Sequence, residues 1–273
     1  MKKIQNILGK FGLPIYFFFL GCSMSIGIAG LTESEFENEI LSNIAKTIKE
    51  KTKGLPEENQ IDTTIILCHY LQERRSEILG SYKYQSFKAS IFISSLQSFY
   101  IGTGACGYYT LLTTRVFQKL GYQPKIIQQR VNDRWGAHIC LALPLKSTGK
   151  LILLDPLFRH TFRDSQNQLS TLQQVSGQWK SYYSLHTPAN YNPNYNYQQG
   201  WRHTNWDKYG ASSRSLYKIL VFCYGKEKTD LLSLRTFIID SYKIQALIAF
   251  LVSGMCIAMI AFTWRSGKNK LKI

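Results

Sequence analysis

The stretch Gly104-Ala105-Cys106-Gly107-Tyr108-Tyr109 decides the fold, because a loop of small residues here runs into a helical pattern at a cysteine. The apolar residues that follow recur at helical spacing and lie on one stripe: Leu112, Val116, Phe117 and Leu120. Gly121 stands where a helix ends, so the pattern predicts a helix over 108–121. Cys106 then lies at its start, where unpaired N–H groups and the helix dipole favour a thiolate over a thiol.

Three strand-like runs follow the helix and carry two further candidate groups. They cover residues 125–131, 135–143 and 150–155, with turn residues between them. His138 lies on the second run, and Asp155 ends the third. Neighbouring antiparallel strands bring such side chains together, and the sheet can pack on the helix that carries Cys106. A cysteine nucleophile needs a base, and the base needs an orienting group, so this set predicts nucleophilic catalysis.

Three motifs in this order resemble the transglutaminase-like superfamily, which has a papain-type core. The motifs are Gly104-Ala105-Cys106-Gly107, Gly136-Ala137-His138 and Leu153-Leu154-Asp155-Pro156. The resemblance covers residues 102–158, about a fifth of the chain. It implies an α+β fold in which a helix carrying the cysteine packs on an antiparallel sheet carrying the histidine and the aspartate.

The resemblance also implies a role for each residue of the site. Cys106 is expected to be the nucleophile, His138 the general base and acid, and Asp155 the group that orients His138. The backbone N–H of Cys106 is expected to be one oxyanion donor. The second donor is left open among Gln97, Tyr100 and Trp135. No His/Cys cluster in the sequence has zinc spacing, so no metal or cofactor is expected.

Two apolar segments predict attachment to a membrane. The second, residues 244–264, has no charged residue and is as long as the ~20 residues that a bilayer core requires. The basic tail at 265–273 is expected to be cytoplasmic by the positive-inside rule. The first segment, residues 12–31, is either a retained anchor or a signal peptide cleaved near Gly27-Ile28-Ala29. Both alternatives place residues 32–243 outside the cytoplasm.

The high positive charge comes partly from the chain ends. The formal net charge is +16 from 33 Lys and Arg against 17 Asp and Glu. Seven of the basic residues flank the apolar segments, and removing them leaves +9 for the rest: Lys2, Lys3, Lys10, Arg265, Lys268, Lys270 and Lys272. Because the remaining basic residues form no run longer than Arg74-Arg75, the sequence predicts no nucleic-acid partner.

The sequence predicts six segments. They are 1–31, a cytoplasmic N-terminus with an anchor or signal peptide; 32–100, a helical part; 101–175, the catalytic core; 176–243, an aromatic-rich part of the same domain; 244–264, a transmembrane helix; and 265–273, a cytoplasmic tail. Within them, one helix is expected from a cap at Thr32 or Ser34 to Lys53 and another from Asp62 to Leu79. A final strand is expected over 215–224.

The aromatic-rich part has two alternative interpretations. Residues 182–209 contain eight Tyr and Trp residues among Asn, Gln and Pro. This composition fits either a surface loop held in place by its aromatic rings or a wall that contacts substrate. On the second interpretation, the candidate substrate-binding residues are Trp201, Trp206 and Tyr209.

Together these observations predict a membrane-anchored cysteine acyl-transfer enzyme. We expect it in the plasma (inner) membrane, with a protein or peptide substrate outside the cytoplasm. Hydrolysis of a peptide or amide bond is favoured over transfer to an amine, because a site open to water needs shielding to favour an amine. The alternative is a non-catalytic binding or assembly module of a cell-envelope or surface-polymer system on the same scaffold.

Overall fold

The chain is α+β and consists of two units. The structure, a computed structural model, describes residues 2–79, 106–132, 134–207, 210–237 and 239–270. Contacts between residues group Met1–Asn38 with Asp240–Ile273 as one unit and Glu39–Ile239 as the other. The second unit contains the described β-sheet and the candidate site.

The sheet has five antiparallel strands, and it contains the three strands that the sequence predicts. The strands are β1 (Lys125–Val131), β2 (Arg134–Pro144), β3 (Leu151–Asp155), β4 (His160–Thr161) and β5 (Trp201–Arg202). Their order across the sheet is β4-β3-β2-β1-β5, and every pair is antiparallel. The short edge strands β4 and β5 carry few of the ladder hydrogen bonds, so the β1-β2-β3 meander is the frame on which the site is built.

Helices form most of the rest of the described chain. They are α1 (Lys2–Lys51), α2 (Glu57–Leu79), α3 (Cys106–Lys119), α4 (Leu172–Gly177), α5 (Trp179–His186), α6 (Gly210–Tyr224), α7 (Lys226–Asp230), α8 (Leu234–Phe237) and α9 (Ser241–Lys270). The predicted helix after Cys106 is confirmed as α3. Gly121 follows it with a positive φ of 85°, a conformation that glycine adopts without strain.

Both faces of the sheet are buried, and the two faces have different partners. Ile139, Leu141 and Leu143 of β2 belong to the core shared with the apolar stripe of α3. The alternate residues Cys140 and Ala142 belong to a second core, shared with the aromatic residues of the later chain. Because successive strand side chains point to opposite faces, His138 lies on the aromatic side with Cys140.

The start of α3 is fixed directly to the sheet. The Thr110 hydroxyl lies 2.8 Å from the carbonyl oxygen of Cys106 and 3.0 Å from that of Ile139. This side chain therefore joins the first turn of α3 to the residue next to His138.

Two predicted elements are wrong near the N-terminus. No helix is capped at Thr32 or Ser34, because α1 runs unbroken from Lys2 to Lys51. The Thr32 hydroxyl donates back to the carbonyl of Ile28, and the Ser34 hydroxyl donates to Asp240, so neither acts as a cap. The following helix, α2, begins at Glu57, ahead of the predicted Asp62.

The predicted strand over 215–224 is also wrong, since these residues belong to α6. Their β-branched and aromatic side chains suggest a strand by composition, but a short apolar run has no decisive period. The exposure of the side chains differs between the two sides of this helix, since Ser213 is buried whereas Phe222 is 92% exposed.

Two helices are long and apolar enough to cross a membrane. They cover Leu13–Lys51 and Ser241–Arg265, with only 11% and 22% of their most apolar windows buried. The second contains the predicted segment 244–264. Large apolar side chains on these helices stay exposed, among them Phe18 at 67% and Met255 at 69%. Such surfaces are compatible with contact to lipid, and length and composition are the evidence for it.

Within their unit, α1 and α9 pack through small residues. The hydroxyls of Ser23 and Ser253 lie 2.7 Å apart in a buried contact. One turn along, a Cβ on Gly27 would lie 2.8 Å from the ring of Phe250. Further on, a Cβ on Gly30 would lie 3.0 Å from the carbonyl oxygen of Tyr242. The contacts run in opposite directions along the two helices, so the pair is antiparallel, and small residues at its interface let the backbones approach.

This packing predicts a specific cross-link. In a chain lacking Cys22 and Cys256, Ser23→Cys with Ser253→Cys should form a disulfide under mild oxidation, because the two hydroxyls are in contact. The control pair is Ser25→Cys with Ser253→Cys, since Ser25 is exposed on another side of α1. Non-reducing electrophoresis after proteolysis between the helices measures both yields. Equal yields would contradict the packing, and Gly27→Leu should lower the yield of the first pair.

Candidate active site

The centre of the site is a hydrogen bond between two buried side chains. Nε2 of His138 lies 2.7 Å from Oδ2 of Asp155, and both side chains are 0% exposed. The register of β2 and β3 explains this contact. Leu141 is opposite Leu154, so one step further Cys140 is opposite Asp155. His138 is then the diagonal neighbour on the same face, within reach of the carboxylate.

Cys106 lies close to the ring of His138. It is the first residue of α3 and is half-buried. Because Nε2 is held by Asp155, Nδ1 is the atom that remains for a second partner. Nδ1 is buried and has no hydrogen bond of ordinary geometry to the described residues. The Cys106 thiol nevertheless lies near enough to His138 to help raise the pKa of the imidazole. The structure thus brings together Cys106, His138 and Asp155.

The charges of this set are coupled. Burial alone would raise the pKa of Asp155, but attraction to His138 and hydrogen bonds from His138 and Tyr191 lower it below its usual value. Burial alone would lower the pKa of His138. A negative Cys140 would oppose this, yet Cys140 keeps its proton at neutral pH, because burial raises its pKa to about 12. The Asp155 carboxylate is therefore the main group that raises the pKa of His138 above its usual value, with a smaller contribution from Cys106.

Two tyrosines extend the network behind Asp155. The hydroxyl of Tyr191 donates to Oδ2 of Asp155 over 2.7 Å and lies 3.3 Å from the hydroxyl of Tyr197. The hydroxyl of Tyr197 lies 2.8 Å from Sγ of Cys140. Burial raises the pKa of both tyrosines well above the usual value, so each keeps a proton to donate. In the series from Cys140 through Tyr197 and Tyr191, every hydrogen bond can therefore point towards the Asp155 carboxylate.

A third tyrosine fixes the plane of the imidazole. The ring of Tyr195 stacks on His138 with 3.8 Å between centroids and 10° between planes. The imidazole is thus held at its edge by Asp155 and on its face by Tyr195. Such support limits rotation about the side-chain bonds, and a general base requires this restriction.

The sequence did not reveal the role of these tyrosines. Tyr191, Tyr195 and Tyr197 belong to the aromatic-rich stretch, for which only a surface loop or a substrate wall was expected. The structure shows a further role, because Tyr191 and Tyr197 are buried against the second core and bond to the site. The density of tyrosine was the available signal, but an irregular segment has no period that assigns its side chains to the sheet.

The remaining predicted residues do not all join the site. Gln97, Tyr100 and Tyr209 lie outside the described residues. Trp135 lies under the guanidinium of Arg202, 4.0 Å from the ring centroid, and has no described contact with Cys106 or His138. Trp201 and Trp206 line a cleft of about 970 Å³ beside α6 and α7.

The cleft is connected to the site by one row of the sheet. Trp201 is opposite Gln129 on β1, and Gln129 is opposite His138 on β2. Directly opposite residues share a face, so Trp201 lies about 10 Å from His138, two strand spacings away. The Gln129 amide between them is fully buried, and neither of its polar atoms has a hydrogen bond among the described residues. An unpaired buried amide costs about 1–3 kcal/mol and gains a partner if a ligand binds there.

Comparison with known proteins finds no family model, no curated protein and no solved structure that matches this chain. The function must therefore be argued from the site itself.

One group of side chains has the composition of a metal site. Ligand atoms of His138, Cys140 and Asp155 lie within 4.8 Å of one another. Each already has a partner, because His138 bonds Asp155 and Cys140 contacts Tyr197. Cysteine binds metals as a thiolate, and a thiol whose pKa is about 12 opposes this. A metal here would have to break the network, so the arrangement fits proton transfer better than metal binding.

The contribution of the Tyr191–Asp155 hydrogen bond to the stability of the fold can be measured. Tyr191→Phe removes a hydroxyl that donates to a buried carboxylate and keeps the ring. We expect the free energy of unfolding to fall by about 1.5–3 kcal/mol, as for a hydrogen bond to a charged group. Tyr195→Phe is the matched control, because its hydroxyl makes no hydrogen bond with a described residue. Denaturant unfolding of the two variants should differ by this amount, and equal stabilities would contradict the network.

The His138–Asp155 pair also predicts a pH window. The lowered pKa of Asp155 stabilises the fold above the unfolded value of about 3.9, and this is lost as pH falls through the folded value. The raised pKa of His138 stabilises the fold below about 6.5, and this is lost as pH rises through the folded value. Both contributions are complete between about pH 4 and 6.5. The melting-temperature deficit of Asp155→Asn should be largest there, whereas that of Asp207→Asn, at an exposed ion pair, should stay small.

Proposed function

We propose that this chain is a cysteine acyl-transfer enzyme of transglutaminase-like type. One observation carries the proposal: the buried 2.7 Å bond of His138 to Asp155, with the Cys106 thiol interacting with the same ring at the start of a helix. A buried His–Asp pair alone is compatible with a structural role. A cysteine close to the same ring adds the nucleophile, and the three groups then match the chemistry of base, orienter and attacking atom.

The proposed reaction begins with a proton transfer. Nδ1 of His138 takes the proton of Cys106 before the substrate binds, because the raised pKa of the imidazole favours the imidazolium that Asp155 stabilises. The thiolate forms an S–C bond with the substrate carbonyl carbon, and the electron pair of the C=O bond moves to oxygen. Unpaired N–H groups in the first turn of α3, including that of Cys106, supply donors for this oxyanion.

The second half of the reaction releases the two products. The oxyanion collapses, the C–N bond breaks, and the departing amine takes the proton from Nδ1. Water then attacks the thioester carbon and gives a proton to Nδ1 of His138, the C–S bond breaks to release the acid, and the Cys106 sulfur leaves as the thiolate beside the imidazolium. We propose water as the acceptor rather than an amine, because Cys106 is only half-buried and a thioester open to water needs shielding to favour an amine.

The substrate class that we propose is a peptide or protein segment outside the cytoplasm. The row from His138 through Gln129 to Trp201 combines the reactive ring, an unpaired amide and an aromatic edge. An extended peptide offers a carbonyl or an N–H for such an amide and side chains for the aromatic cleft.

We propose that the enzyme is anchored in the plasma (inner) membrane by both apolar helices, with the tail at 265–273 in the cytoplasm. The basic residues at the two ends of the chain then lie on the cytoplasmic side, which agrees with the antiparallel pairing of α1 and α9. The same pairing supports a retained anchor over a cleaved signal peptide, because Ser23, Gly27 and Gly30 fill one side of the interface.

Alkylation of the purified full-length protein tests the enzyme proposal. Cys106 should react with iodoacetamide near neutral pH far faster than Cys68, Cys140 or Cys223, because the imidazolium of His138 holds the proton that the thiol gives up. His138→Ala should slow Cys106 by roughly two orders of magnitude, the lower end of general-base assistance. Peptide mass spectrometry over time gives the rate at each cysteine.

The control is His203→Ala, which removes a buried imidazole with no described contact to Cys106. It should leave the rate at Cys106 unchanged. Equally slow reaction at all four cysteines, or no effect of His138→Ala, would contradict the catalytic proposal and favour the non-catalytic binding or assembly module.

A further inference from the structure

Helix α6 presents an apolar face that no described residue covers. The face consists of Leu216, Ile219 and Phe222, which are 43%, 59% and 92% exposed, together with the exposed Cys223. These positions lie on one side of the helix, opposite the side that is buried.

The opposite side of α6 attaches it to its unit. Ser213 is buried and donates to the carbonyl oxygen of Trp206. The ring of Tyr217 packs on that of Trp206 with 5.3 Å between centroids. The apolar face therefore plays no part in holding α6 in place. Soluble monomers seldom expose contiguous apolar patches, so such a face indicates a partner.

Positive charge lies on the helix that carries the apolar face and on the helix that follows it. Lys218 lies on α6 beside the face, and Lys226 and Lys228 lie on the next helix, α7. None of these three forms an ion pair with a described residue. The nearby acids are Glu227 and Asp230, and Asp230 already accepts a hydrogen bond from Tyr217.

We propose that this apolar face docks on the surface of an anionic lipid bilayer. A helix with large apolar residues on one side and lysines at its edge has the composition of an interfacial helix. The chain itself provides the reason to choose lipid over another protein, since α6 ends at Tyr224, 17 residues before α9 begins at Ser241. The inference therefore rests on the membrane attachment proposed above, but not on the acyl-transfer chemistry.

Docking would also fix the position of the cleft relative to the membrane. Arg214, Tyr217 and Lys218 of α6 form part of the cleft that contains Trp201 and Trp206. With α6 on the lipid surface, the cleft lies at the level of the headgroups. A substrate that enters it would be a segment close to the membrane.

Fluorescence quenching in nanodiscs tests the docking. Cys223 is labelled with an environment-sensitive dye in a full-length chain carrying Cys22→Ser and Cys106→Ser. The nanodiscs contain phosphatidylglycerol and lipids with brominated acyl chains. We expect several-fold stronger quenching at Cys223 than at Thr148→Cys, a control in the exposed turn after β2, in a Cys223→Ser background. Replacing phosphatidylglycerol by phosphatidylcholine, or adding Lys218→Glu and Lys226→Glu, should reduce it.

Four results would overturn the docking. Equal quenching at the two positions is the first. A blue-shifted but unquenched dye at Cys223 is the second, because it would show that a second copy or another part of the chain covers the face. A dye at Met255→Cys, exposed on α9, reports insertion separately. If it is unquenched, the membrane attachment fails and the docking with it; if it is quenched and Cys223 is not, the docking alone fails.

Discussion

The structure depends on one constraint: a carboxylate in the dry interior must have hydrogen-bond donors. Asp155 has three of them, namely His138, Tyr191 and the backbone N–H of Leu157. The Leu157 contact comes from the turn at Pro156, which fixes the end of β3. The Tyr191 contact requires the aromatic segment to lie against the sheet. The carboxylate therefore determines where a strand ends, where a loop packs and which ring nitrogen of the histidine remains available for a second partner.

The part of this arrangement that follows from periodicity was predictable from sequence. The apolar stripe of α3 and the runs of β1, β2 and β3 have clear periods, and strand parity places His138, Cys140 and Asp155 on one face. The part that depends on irregular backbone was not predictable. Tyr191, Tyr195 and Tyr197 lie in a segment of turns and single-turn helices, where sequence spacing does not fix direction. Their contacts with Asp155, His138 and Cys140 become visible only when the segment is folded onto the sheet.

The errors elsewhere have a common physical origin, which is the competition between local composition and neighbouring structure. Residues 215–224 have the side chains of a strand, yet they form a helix that packs on Trp206. Thr32 and Ser34 have the side chains of a cap, yet helix continues on both sides of them and their hydroxyls find other acceptors. In both places the local signal was real, and tertiary contacts or helix continuity outweighed it.

The burial of Cys68 and Cys140 has a consequence for oxidative damage. If the Cys106 sulfur were oxidised to a sulfenic acid, its repair within the chain would need a second cysteine that attacks as a thiolate. Burial raises the pKa of both Cys68 and Cys140 to about 12, so neither supplies one at neutral pH. These two buried thiols therefore cannot resolve such a lesion, and its repair needs a thiolate or a reductant from elsewhere.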